Sequence, residues 1–125
     1  MPLKIGYGGK QKEGNMELIN KTPHDITILN TDGQVVRVIE PTGEAWRLEE
    51  EIAFSHYEDG IPITESRYTC IDLPPEKENV VYIVSQLFIN SYPHRKDLRV
   101  PAQVIRTGSN IMGCLSLGRL PKEEI

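Results

Sequence analysis

Nothing constrains this chain more than the run Val80-Val81-Tyr82-Ile83-Val84-Ser85-Gln86-Leu87-Phe88. Its first five residues are apolar, four of them β-branched, with no polar face to turn to water. Such a run reads as a buried central strand. Ser85 then ends the strand and opens a helix over residues 86–92, which Pro93 terminates. A buried strand ending at a serine and a helix start leaves backbone N–H groups aimed at one spot, and such a spot favours anions. Arg95, Arg99 and Arg106 follow closely. No catalytic signature accompanies them.

Most of the rest reads as strand. Residues 1–15 alternate Gly6, Gly8, Gly9 and Gly14 with Lys4, Lys10 and Lys12 and lack apolar periodicity. They predict a flexible leader, and Met16 could serve as a second start. Gly9-Lys10 is no P-loop, because Gln11 follows the lysine and Lys4 stands where the first glycine belongs. Residues 16–20 and 25–30 predict strands, Asp32-Gly33 a hairpin turn, and 34–39 the return strand. Residues 45–54 alternate, with Trp46, Leu48, Ile52 and Phe54 expected inward and Glu49 to Glu51 suggesting a bulge. Glu58-Asp59-Gly60 turns the chain into a strand over 61–71. Pro74-Pro75 marks an extended linker. After the helix, 97–100 is a short extended piece, Pro101 restarts the chain, and 103–106 with 110–117 close a hairpin around Thr107-Gly108-Ser109. The expected class is α+β, a mostly antiparallel sheet with one or two short helices, in a single domain over 16–125.

The 125 residues suffice for one domain burying roughly two-thirds of its unfolded surface. The net charge of −4 disfavours a duplex DNA binder, which needs a basic footprint. A local basic cluster at Arg95, Lys96 and Arg99 keeps small phosphorylated ligands open. Cys70 and Cys114 form no CxxC pair and read as buried free thiols in a reducing compartment. No apolar run reaches the ~20 residues of a membrane span. The expectation is a cytoplasmic protein.

Each candidate chemistry competes with a plain structural role. His24, His56 and His94 lie about thirty residues apart with no HExxH and no Cys/His pairing, so no metal site or cofactor is expected. Ser85, His94 and Asp97 could be drawn as a triad, but GxSxG is absent and nothing marks an oxyanion hole. An enzyme is therefore not expected. Capping alone explains Ser85, at about 0.5–2 kcal/mol. Arg95, Arg99, Arg106 and Arg119 can hold phosphates through bidentate bonds, or serve as salt-bridged surface. Phe88, Tyr92 and Tyr82 could stack a base, although Phe88 and Tyr82 also suit the core.

Four segments together carry a resemblance. They are Ile19-Asn20-Lys21-Thr22-Pro23-His24-Asp25-Ile26, Tyr82-Ile83-Val84-Ser85-Gln86-Leu87, Arg95-Lys96-Asp97-Leu98 with Pro101, and Gly113-Cys114-Leu115-Ser116-Leu117. In order and spacing, from residue 16 to about 118, they resemble a group of small phage, prophage and bacterial proteins, many without assigned function. Ser116 departs from the glycine expected in that pattern. The ground plan is also similar to phage anti-defence proteins that counter the Thoeris immune system, small oligomeric sponges of cyclic ADP-ribose signals or cyclic oligonucleotides. That resemblance implies tight binding without chemistry, in a pocket completed by a neighbouring subunit; no ligand residue carries over from it. The expected ligand contacts come from the residues themselves. Ser85 and the following amides would hold phosphate, with Arg95, Arg99 or Arg106 for charge. Phe88 or Tyr92 would meet the base, and Asn90 a polar edge. The alternatives are an accessory or structural phage protein acting through subunit contacts, and a small hydrolase. Strands such as 34–39 could pair across a homo-oligomer interface.

Overall fold

The alternation inside Val80–Ile83 sets the architecture. In the computed structural model, which describes residues 16–121, this strand buries both its faces. Tyr82 and Val84 pack with Phe88, Ile89, Leu98 and Val100 on one side, while Ile83 packs with Ile26, Ile39 and Cys114 on the other. A strand with no solvent face requires a layer on each side, and the chain supplies a helix and a curled sheet.

The elements are β1 (Glu17–Asn20), β2 (Ile26–Leu29), β3 (Val35–Ile39), β4 (Glu49–Glu58), β5 (Ile61–Thr69), β6 (Val80–Ile83), α1 (Gln86–Ser91), β7 (Leu98–Thr107) and β8 (Asn110–Gly118). Six of the strands form one sheet in the order β1-β6-β7-β8-β2-β3, and β4-β5 stand apart as a two-stranded sheet. The hairpins β2–β3, β4–β5 and β7–β8 are antiparallel. Shorter parallel pairings, β1–β6, β6–β7 and β2–β8, join the pieces of the larger sheet. Its two end strands return to each other: Asn20 bridges Pro41 in parallel, and the Thr42 amide donates to the Asn20 carbonyl at 3.0 Å. The sheet thus closes at one end, which leaves fewer open edges than a flat sheet would.

Asn20 is the clasp of that closure. It is fully buried, and its side-chain amide donates to the carbonyls of His24 (2.7 Å) and Ile39 (2.8 Å). Its oxygen accepts from the Thr22 amide (2.9 Å) and hydroxyl (2.7 Å). Within the sheet, β8 pairs with β2 in register at Ile28 and Cys114. A Cβ on neighbouring Gly113 would lie 2.8 Å from the Thr27 carbonyl oxygen and 2.9 Å from Leu29 Cγ, so only glycine lets the two strands approach this closely.

Four sequence expectations need correction. Strand dominates and the one helix has six residues, so the class is mostly β rather than α+β. The helix is that short because Tyr92, ahead of Pro93, leaves helical geometry at φ −129°, ψ 61°. Ile52 and Phe54 do not face inward; they are 61% and 57% exposed, because β4–β5 projects as an arm that the larger sheet does not cover. Trp46 and Leu48, ahead of the arm, do pack against the core. The bulge falls between Phe54 and His56, not at the glutamates. Lastly, β7 runs unbroken through Pro101, whose position opposite Leu117 costs no needed donor. The expected leader, 1–15, lies outside the described residues. Among those described, no helix is long and apolar enough to cross a membrane.

Candidate functional site

The strand-to-helix junction is built as the sequence predicts, and its groups are already engaged. Ser85 is the N-cap, its backbone extended at φ −76°, ψ 165°, and its hydroxyl oxygen accepts from the Phe88 amide at 3.1 Å. A helix of under two turns has little macrodipole to offer an anion. Phe88 is 1% exposed and stacks between Trp46, with ring centres 5.7 Å apart, and Tyr92, at 5.4 Å. It belongs to the core and cannot meet a base, which corrects the expectation for that residue. The Tyr92 hydroxyl accepts from the Cys70 amide at 2.7 Å, tying α1 to the foot of the arm. Asn90 lies on the exposed side of α1, bonded to Gln86 at 3.1 Å. Ser85→Ala is expected to lower stability by about 1 kcal/mol in chemical denaturation.

Arg95 is also committed elsewhere. Its guanidinium grips Asp97 with two bonds, at 2.9 and 2.7 Å, and donates to the Pro74 carbonyl at 2.8 Å. Glu76 stands 3.7 Å away. The hydrogen bond to Asp97 outweighs burial and holds the guanidinium above its ordinary pKa. The residue staples the Pro74-Pro75 linker to the start of β7. Asp97 itself is 4% exposed, and its backbone carbonyl accepts from the Tyr82 amide at 2.7 Å. Neither Ser85 nor Asp97 hydrogen-bonds His94 among the described residues, so the three do not form a connected triad. Arg106, opposite Ile111 near the tip of the β7–β8 hairpin, is some seven residues, or about 23 Å of strand, from Arg99. It does not share a site with the others.

What remains is Arg99, in company the sequence reading had not joined to it. Its guanidinium folds back to donate to the carbonyls of Lys96 (3.0 Å) and Leu98 (2.8 Å). Val100 pairs with Gly118 across the β7–β8 hairpin, so Arg119, one step farther, comes beside Arg99. Burial first, and the charge of Arg119 second, lower the pKa of Arg99, with Asp97 acting in the opposite sense. Among the described residues neither guanidinium has a carboxylate within 4.0 Å. Arg119, though not Arg99, lines a cleft of about 620 Å³. His94, Arg95, Lys96 and Arg119 give it basic walls, and Pro93, Leu98 and Leu120 an apolar lining. The register signal was available: a hairpin centred near Ser109 places residues 99 and 119 opposite each other.

A second hollow of about 490 Å³ lies between β2, the β7–β8 tip and the start of α1. His24, Asp25 and Gln86 contribute polar groups over Val100, Pro101 and Met112, and among the described residues no lysine or arginine lines it. Burial pushes the thiols of Cys70 and Cys114 up, and Cys114 points its sulfur at the Thr27 carbonyl, 3.7 Å away. Both are free and act as packing groups. No protein-family model, curated protein or solved structure matches the chain.

Proposed function

We propose that this chain is a phage-type anti-defence protein that captures a small phosphate-bearing nucleotide signal and holds it without altering it. The observation carrying this reading is the basic cleft lined by His94, Arg95, Lys96 and Arg119, with Arg99 beside Arg119 on the neighbouring strand. Two guanidinium groups held side by side repel, and a bridging anion converts that repulsion into attraction. Planar N–H forks suit phosphate oxygens, to which they bond in pairs. Lys96 adds charge and His94 a ring nitrogen for a second phosphate, while Leu98, Leu120 and Pro93 offer an apolar surface to a ribose or base. The cleft's volume falls within the range of about 300–1,000 Å³ usual for small-molecule sites. The exposed β4–β5 arm favours a second reading, a structural or accessory role acting through subunit contacts.

Titration with cyclic ADP-ribose isomers and with cyclic di- and trinucleotides separates the two. Saturable binding that raises the melting temperature is expected for at least one of them. Arg99→Ala and Arg119→Ala should each weaken it by more than about 2 kcal/mol. The nucleotide should be recovered chemically intact after denaturation of the complex. If no nucleotide raises the melting temperature at concentrations well above micromolar, the sponge reading fails; a changed product would mean an enzyme.

A further inference from the structure

The β4–β5 arm poses a packing problem that the chain does not solve alone. Every residue of β4 is exposed, and so is most of β5, although the pair is ten and nine residues long. A two-stranded ribbon is at best marginally stable in water without a covering layer. The register sorts its side chains cleanly. Glu50, Ile52 and Phe54 share a face with their partners Tyr68, Ser66 and Thr64; beyond the bulge, Tyr57 joins them opposite Pro62. The rings of Phe54 and Tyr57 lie 5.0 Å apart on that face. Its one charged group, Glu50, is occupied by the Ser66 hydroxyl at 2.8 Å and the Tyr68 hydroxyl at 3.2 Å. Glu49, Glu51, Glu58, Glu65 and Arg67 all fall on the opposite face.

We infer that this face, whose one carboxylate is hydrogen-bonded within it, is an interface at which the arms of two copies of the chain pack on each other, related by a two-fold axis. Charge segregation selects the partner: a face with no free charge and a central aromatic pair matches a copy of itself, and an isologous contact needs only such self-complementarity. Ile52, Phe54 and Tyr57 remain 61, 57 and 67% exposed. Complete burial of side chains of this kind is worth about 1.5–3 kcal/mol each, and a two-fold contact buries each of them twice. The inference is independent of the nucleotide reading, since the cleft lies on β7, β8 and the 93–96 segment.

Sedimentation velocity of the full chain at micromolar concentration is expected to show a dimer. Phe54→Glu places a charge at the centre of the contact and should raise the dimer dissociation constant about a hundredfold or more. Its far-UV circular dichroism should remain that of the parent. Val36→Glu on β3, the other exposed apolar strand, should leave the dimer intact. Tyr57→Lys repeats the test at a second position should Phe54→Glu fail to fold. A parent that sediments as a monomer overturns the inference. So does a dimer that survives both arm substitutions, or one that Val36→Glu alone dissociates.

Discussion

Arg95→Ala is expected to lower the unfolding free energy by about 3–5 kcal/mol, because it strands a carboxylate rather than merely deleting a contact. Asp97 has 5% of its side chain exposed and Arg95 16%, so the pair lies where water cannot replace a lost partner. Both Asp97 oxygens are held by the one guanidinium, at 2.9 and 2.7 Å. The Asp97 carbonyl also completes the β6–β7 junction through the Tyr82 amide. Damage therefore spreads into the central strand. Asp97→Ala should cost less, since the arginine left behind can turn to Glu76 and to water. The double variant should be more stable than the sum of the single losses predicts, and urea denaturation of all four proteins measures that coupling. If Arg95→Ala instead costs under about 1 kcal/mol, the pair is a surface ion pair and the staple is misread.

The same residue shows where the sequence was legible. Val80 to Val84, Asp32-Gly33 and Thr107-Gly108-Ser109 were readable because each carries its own local reason to be a strand or a turn. The helix after Ser85 followed from them, whereas the bounds of β4 and β7 did not. Arg95 was visible only as a charge in a basic cluster. That its fork would close on Asp97, and that Pro74 would arrive from across the fold, depends on long-range packing. Ile52 and Phe54 make the complementary point. Their alternation correctly placed the two on one face, but periodicity does not say what covers a face, and Tyr57 joins them only through the bulge after Phe54. In the candidate site, Arg99 was legible as a residue, and Arg119 became its neighbour only once the hairpin register was followed to its end. Phe88 was misassigned because an aromatic residue in a helix after a basic-flanked strand has the same local pattern in a core as at a base-stacking site.

Asn20 gave no local signal at all, yet its replacement should be among the most damaging in the chain. Both amide hydrogens and both oxygen lone pairs are used, so the side chain is saturated. Asn20→Ala leaves the buried Ile39 carbonyl and the Thr22 amide without partners and opens a small void beneath the Asn20–Pro41 bridge. A loss of about 4 kcal/mol is expected, read as a fall in the denaturation midpoint with an unchanged slope. Asn20→Asp keeps the shape and tests the cause. At neutral pH it aims a buried carboxylate at two carbonyl oxygens, and the cost should equal or exceed that of alanine. Burial must raise the folded-state pKa of that new carboxyl above its unfolded value of about 3.9. Relative to the parent, the variant is therefore least impaired below the unfolded value. The deficit grows as pH rises through the folded one, because only the protonated acid can donate one of the two lost bonds. Denaturation of parent and variant at matched pH, from 4 to about 8, should show the gap widening upward. A gap that stays constant with pH, or an Asn20→Asp protein within about 1 kcal/mol of the parent at pH 7, would show that the clasp is held by packing rather than by these four hydrogen bonds.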